Sequence, residues 1–141
     1  MISGPARRLL LTLAAACLTM VPPAFADQAP VVNAPAGAVM GLTQGPLNVF
    51  KGIPYAAPPV GKLRWKPPQP AAPWQGTLNT TKFGPACYQP TSKFVTIYTA
   101  DPGPMSEDCL SLNIWAPANA HNAPVFFWIY GGALWGGSSR D

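Results

Sequence analysis

Val125-Phe126-Phe127-Trp128-Ile129-Tyr130 is a run of six consecutive apolar or aromatic residues. A strand of that composition has no polar face to turn toward water, so it fits a central strand covered on both sides. In α/β folds the covering layers are helices, yet no convincing amphipathic helix follows the first 26 residues of this sequence. The 19 prolines interrupt nearly every stretch long enough to form one, since each lacks an N–H and clashes with the preceding turn. Thr91 to Ala100 is the best helical candidate, and it is short and rich in β-branched residues. The sequence then stops eleven residues after Tyr130, at Ser138-Ser139-Arg140-Asp141, without a closing element. A strand like this left bare would be an aggregation site. The chain therefore reads as the front of a larger α/β protein, with its helices largely missing.

Composition excludes other classes. Hydrophobic residues make up 48% of the 141 residues and charged residues 10%, which disfavours disorder. The recurring prolines also disfavour a helical bundle or coiled coil. The formal net charge is +4, but Arg7 and Arg8 lie in a leader, and the remainder carries seven Lys/Arg against five Asp/Glu. The nearest approach to a basic cluster is Lys62, Arg64 and Lys66, too small for a nucleic-acid footprint. The length allows one single-domain-sized unit.

Residues 1–26 read as an export signal. Met1 to Arg8 is a short basic segment, Leu9 to Val21 is a 13-residue run without a charge, and Ala24-Phe25-Ala26 supplies a small-x-small cleavage pattern before Asp27. The apolar run is too short to span a bilayer, and Pro22-Pro23 ends it. A buried core helix and a lipidated Cys17 are the weaker alternatives. The mature chain would run from 27 to 141 and be secreted or periplasmic. Cys17 would leave with the signal, and Cys87 and Cys109 would remain as an even pair in an oxidising compartment. A bridge between them would close a loop of 21 intervening residues, worth about 3 kcal/mol in the chain-entropy model. Two free thiols, or a bond to a partner chain, are the alternatives.

Along the chain, Val31 to Gly41 reads as a hairpin around Ala34-Pro35-Ala36-Gly37, followed by a strand from Leu47 to Lys51. Gly52 to Trp74 holds seven prolines and is predicted to run extended and irregular over a surface. Leu110, Leu112 and Ile114 alternate with Ser111 and Asn113, the period-2 pattern of a half-buried strand.

Three segments together resemble the type B carboxylesterase family, the cholinesterase-like branch of the α/β-hydrolases. The first is Phe50-Lys51-Gly52-Ile53-Pro54-Tyr55-Ala56-Ala57-Pro58-Pro59-Val60-Gly61, continuing to Trp65, with Pro67-Pro68 and Trp74 in step behind it. It is similar to the family's N-terminal signature, with Trp65 where phenylalanine is usual. Ser106-Glu107-Asp108-Cys109-Leu110-Ser111-Leu112-Asn113-Ile114-Trp115 is similar to the second signature. Pro124 to Ser139 resembles the strand and glycine loop that form the family's oxyanion hole. The resemblance covers the mature chain in the right order. It implies an exported serine carboxylesterase acting on small-molecule esters through an acyl-enzyme, with no cofactor, metal, nucleic acid or membrane span.

Acyl transfer from an ester passes through a tetrahedral intermediate whose oxygen is negative. Preorganised backbone N–H groups stabilise that oxygen, each donor worth about 2.7–4 kcal/mol of barrier. By the resemblance these are the amides of Gly132 and Ala133, with Gly131 shaping the turn; an ordinary glycine turn ending a strand is the plain alternative. Ala133 stands where a third glycine is common and keeps the N–H, and Tyr130 replaces a frequent histidine. The nucleophile elbow Gly-x-Ser-x-Gly occurs nowhere, and Gly136-Gly137-Ser138-Ser139-Arg140 fails at its last position. The single histidine, His121, sits in the Asn119-Ala120-His121-Asn122 loop and reads as solvent-exposed. On this reading the Ser, acid and His lie beyond the sequence, and the chain by itself is predicted to be inactive.

The resemblance implies further roles. Cys87 and Cys109 match the family's first disulfide, whose loop borders the active-site gorge. Arg64 and Glu107 match a buried ion pair tying the two signatures together, against the alternative of two solvated charges. Leu134 and Trp135 would line an acyl pocket, although Trp135 fits core packing equally well. No tryptophan lies between Cys87 and Cys109, where cholinesterases hold a quaternary ammonium by cation–π attraction, so choline esters are disfavoured. Asn79-Thr80-Thr81 fits a glycosylation sequon, a pattern common by chance. Two other readings stand beside the esterase: a non-catalytic cholinesterase-like binding or adhesion module, and a small secreted disulfide-linked β domain.

Overall fold

The computed structural model describes residues 28–91 and 101–140. The export signal over 1–26, Cys17 included, and all but the first residue of the Thr91–Ala100 candidate lie outside them.

The hairpin forms where its turn residues put it. β1 (Val31–Ala34) and β2 (Gly37–Met40) pair antiparallel around Pro35-Ala36, with Ala34 opposite Gly37. Proline presets the turn, and Gly37 supplies a φ of +148°. Gly37 is also packed too closely for a side chain: a Cβ there would meet Trp74 Cδ1 at 2.6 Å. The Trp74 indole N–H donates to the Ala38 carbonyl at 2.8 Å, which closes the proline-rich stretch back onto the hairpin.

β2 runs almost directly into β3 (Leu42–Gln44), which turns at Gly45-Pro46 into β4 (Leu47–Pro54). β5 (Thr77–Asn79) pairs parallel with β2, and β6 (Ser111–Pro117) pairs antiparallel with β4. The result is two three-stranded sheets, ordered β1-β2-β5 and β3-β4-β6. Thr80 joins them. It is fully buried, its N–H and Oγ both donate to Met40 O at 2.8 and 2.9 Å, and its carbonyl accepts from Lys51 N–H at 2.6 Å. Val39, Val49, Phe50, Ala56 and Ala86 form the apolar core around this joint.

β4 continues past the expected end at Lys51 because a bulge carries it. The pairing with β6 shifts between Phe50 and Ile53, and Gly52 takes a φ of +69° there. A Cβ on Gly52 would come within 2.9 Å of Lys82 O and Gly84 N, so only glycine fits. From Tyr55 to Trp74 the chain is irregular as expected, apart from a 3-10 turn over Gly61–Leu63 and a bridge between Ala56 and Pro70. That turn is the single helical element among the described residues, and none of their helices is long and apolar enough to cross a membrane.

Two expectations are only partly met among the described residues. Val125–Tyr130 pairs with no strand among them, and its side chains are exposed there, Phe126 at 85%; the cover expected for this run is not among the described residues. The backbone is nonetheless extended enough that Phe126 and Trp128 stack on one side, ring centroids 6.4 Å apart. A continuous apolar run specifies a strand only when neighbours supply both the ladder and the cover, and no described residue does so here. β6 forms where the alternating residues predict a strand, but among the described residues it is an edge strand with no alternation of burial, and Ile114 and Trp115 are both exposed. Its period-2 pattern needs a cover over one face, which the described residues do not provide.

Candidate active site

The disulfide expected from cysteine count and from family resemblance is present. Cys87 and Cys109 are bridged, with Cα atoms 5.0 Å apart. Backbone bonds hold its base just outside the bridge: Ala86 N–H donates to Pro104 O, and Ser106 N–H donates to Ala86 O, both at 2.9 Å. Arg64 Nη1 lies 3.2 Å from Glu107 Oε1 over the rim of the same loop, joining the two signature segments. This pair is not buried, with side chains 51% and 37% exposed. Its contribution is that of a surface pair, about 0–1 kcal/mol.

The glycine loop faces the first residues of the disulfide loop. Gly131, Ala133, Leu134, Trp135, Gly136 and Gly137 line one side of an open groove of about 430 Å³, with Cys87, Tyr88 and Gln89 on the other. Tyr130 lines it as well. The neighbouring Tyr55 has its phenol pushed above the ordinary 10.0, first by burial and then by the charge of Tyr130.

The loop is a left-handed turn. Gly132, Ala133 and Leu134 have φ of +122°, +51° and +62°. Gly132 O accepts from Trp135 N–H at 2.8 Å and from Gly136 N–H at 3.2 Å, closing one turn. Glycine is obligatory at 132, because a Cβ would collide with Gly136 O. Ala133 and Leu134 hold a conformation that L-residues avoid, costing of order 1–2 kcal/mol each. Such outliers concentrate at functional sites. Among the described residues the N–H groups of Gly132 and Ala133 donate to no acceptor. Successive amides in a turn of this kind form concavities that bind anions.

Leu134 and Trp135 stand free on the solvent side of the turn, Trp135 at 70% exposure, so core packing for Trp135 has no counterpart among the described residues. His121 is exposed in its loop.

Two residues that hold the glycine loop in place were not singled out from the sequence. Gln89 pairs with Gly137 through both ends of its carboxamide. Asn113 accepts from Gly52 N–H and donates to Ser139 O, each at 2.9 Å. Asn113 carried a faint signal, since asparagine is depleted inside strands. Gln89 carried none, because its partner is 48 residues away.

A protein-family model described as the carboxylesterase family matches residues 28–141. Among curated proteins, the chain is 41% identical over 112 residues to para-nitrobenzyl esterase of Bacillus subtilis, covering 79% of this chain and 23% of that protein. It is equally 41% identical over 119 residues to acetylcholinesterase of Bungarus fasciatus, covering 77% of this chain and 20% of the relative. A solved structure of a PNB esterase superposes with a TM-score of 0.68 at 39% identity, over 79% of this chain and 22% of the other. The chain thus spans about a fifth of the length of these relatives, and its strand-rich architecture is part of an α/β-hydrolase fold. On the match that runs across residues 28–141, the chain belongs to the carboxylesterase family.

Proposed function

We propose that this chain forms the oxyanion-binding part of an exported serine ester hydrolase. The observation that carries the reading is the left-handed turn at Gly132–Leu134, which leaves two successive amides without acceptors beside a groove. An ester carbonyl seated there would receive both N–H groups as its oxygen becomes negative, and donors fixed before the reaction cost no reorganisation during it. Leu134 and Trp135 would flank the acyl chain. The attacking serine, its histidine and the acid are assigned to polypeptide outside this sequence, because no Gly-x-Ser-x-Gly elbow occurs within it. The chain alone would then turn over no ester. Residues 1–26 serve as the export signal on this reading, and the disulfide fits an oxidising compartment. With no tryptophan between Cys87 and Cys109, the reading disfavours choline esters as substrates.

The test is hydrolysis of p-nitrophenyl acetate and butyrate by the natural exported product, with labelling by phenylmethylsulfonyl fluoride. Turnover, and loss of it with one label bound, is the expected result. Gly132→Pro removes one donor, and a φ of +122° lies outside proline's range, so kcat should fall at least about 10²-fold. An exported product that hydrolyses neither ester and takes no label would overturn the reading and favour a binding or adhesion module.

A further inference from the structure

We propose that Gln89 is a positioning residue for the glycine loop, holding the amides of Gly132 and Ala133 where an oxyanion would form; this rests on the ester-hydrolase reading. The Gln89 Nε2 donates to Gly137 O at 2.9 Å, and Gly137 N–H donates to Gln89 Oε1 at 2.6 Å. The side chain thus imitates one rung of a β-ladder against the far end of the turn. The second Nε2 proton goes to Cys87 O at 3.2 Å. Both donors and the oxygen of the carboxamide are therefore in use, which leaves Gln89 poorly placed to bind substrate itself, although it lines the groove.

Two close approaches explain why this bond governs the turn. A Cβ on Gly136 would lie 2.6 Å from Gln89 Oε1, so the carboxamide rests directly on the backbone there. A Cβ on Gly137 would lie 2.6 Å from Gly131 O, so Gly137 is packed onto the residue that opens the turn. Fixing Gly137 fixes the mouth of the loop. Gln89 is itself fixed, because it follows the bridged Cys87 by two residues and bonds to its carbonyl. The tether runs from disulfide to carboxamide to turn.

Displacing catalytic groups by about 1 Å can cost 10²-fold in rate, and loss of a transition-state contact lowers kcat without raising KM. The experiment compares the natural full-length protein with Gln89→Met and Gln89→Glu, reading ester kinetics and hydrogen exchange at the Gly137 amide. Gln89→Met keeps the length and removes every bond; it should cut kcat at least about tenfold with KM within about twofold, and speed exchange at Gly137. Gln89→Glu loses both N–H donors when ionised, and its protonated acid restores one. Its kcat relative to the unmodified enzyme should therefore rise as pH falls through the carboxyl range, a response that a purely structural role would not give. Should Gln89→Met fail to fold, this pH ratio decides the matter alone.

Unchanged exchange at Gly137 in Gln89→Met would overturn the tether. Faster exchange with unchanged kcat would overturn the positioning role. An unmodified protein without esterase activity would overturn the ester-hydrolase reading and the positioning role with it. That result is distinct from an active parent matched by its variant, which overturns the inference about Gln89 alone.

Discussion

The side-chain oxygen of Asn113 accepts a hydrogen bond from the backbone N–H of Gly52 at 2.9 Å, across 61 residues of sequence. Gly52 sits in the bulge of β4, where its N–H is turned out of the ladder, and Asn113 is the neighbour on β6 that satisfies it. The Nδ2 of the same side chain donates to Ser139 O, so one carboxamide joins the bulge to the segment that follows the glycine loop. Asn113→Asp keeps the acceptor for Gly52 and loses the donor, placing a carboxylate against the Ser139 carbonyl. Stability should fall by about 1–3 kcal/mol, read as a lower urea midpoint at pH 7. An unchanged midpoint would show that Ser139 does not depend on this bond.

Thr80 places a second such joint between the sheets, and its hydroxyl is separable from its shape. Thr80→Val preserves volume and removes only the Oγ donor to Met40 O, which keeps the N–H of residue 80. The expected loss is about 0.5–1.5 kcal/mol. Thr80→Ala should cost more, because it adds a cavity at a fully buried position. Equal losses for the two variants would contradict the packing part of the argument.

Tyr55 makes stability depend on pH at the alkaline end. Burial and the charge of Tyr130 raise its pKa above 10.0, so the folded chain holds the phenolic proton more tightly than the unfolded chain does. Well below pH 10.0 both states are protonated and the contribution is constant. As pH rises past that value the unfolded chain ionises first, and stability falls until the folded phenol has ionised too. Thermal melts between pH 9 and 11.5 should show a downward slope that Tyr55→Phe reduces. An identical slope in the variant would remove Tyr55 as its source.

The two links between the disulfide loop and its surroundings should differ in strength. Arg64→Ala breaks an exposed pair and should cost no more than about 1 kcal/mol. Reduction of Cys87–Cys109, with the thiols capped, should cost about 3 kcal/mol. Denaturant titration of the two preparations orders them, and an Arg64→Ala loss as large as that of reduction would mean that the pair is shielded in the full protein.

Much of the local structure was legible because its causes are neighbours in the chain. Pro35-Ala36-Gly37 dictates the first hairpin, the proline-rich stretch before Trp74 forbids regular structure, and an even cysteine pair behind a leader-like segment points to a bridge. The glycines of the loop likewise announce a turn: Gly132 occupies a φ of +122° that other residues avoid. The sequence by itself determined these features, since turn chemistry and backbone sterics act over a few residues.

Tertiary structure alone decided how the loop is held and what is covered. The reach of Gln89 to Gly137 spans 48 residues and that of Asn113 to Ser139 spans 26, and neither distance leaves a trace in local propensity. The open Arg64–Glu107 pair depends on the same fact. A side chain's composition fixes what it can bond or bury, whereas its partners are fixed by where distant parts of the chain arrive.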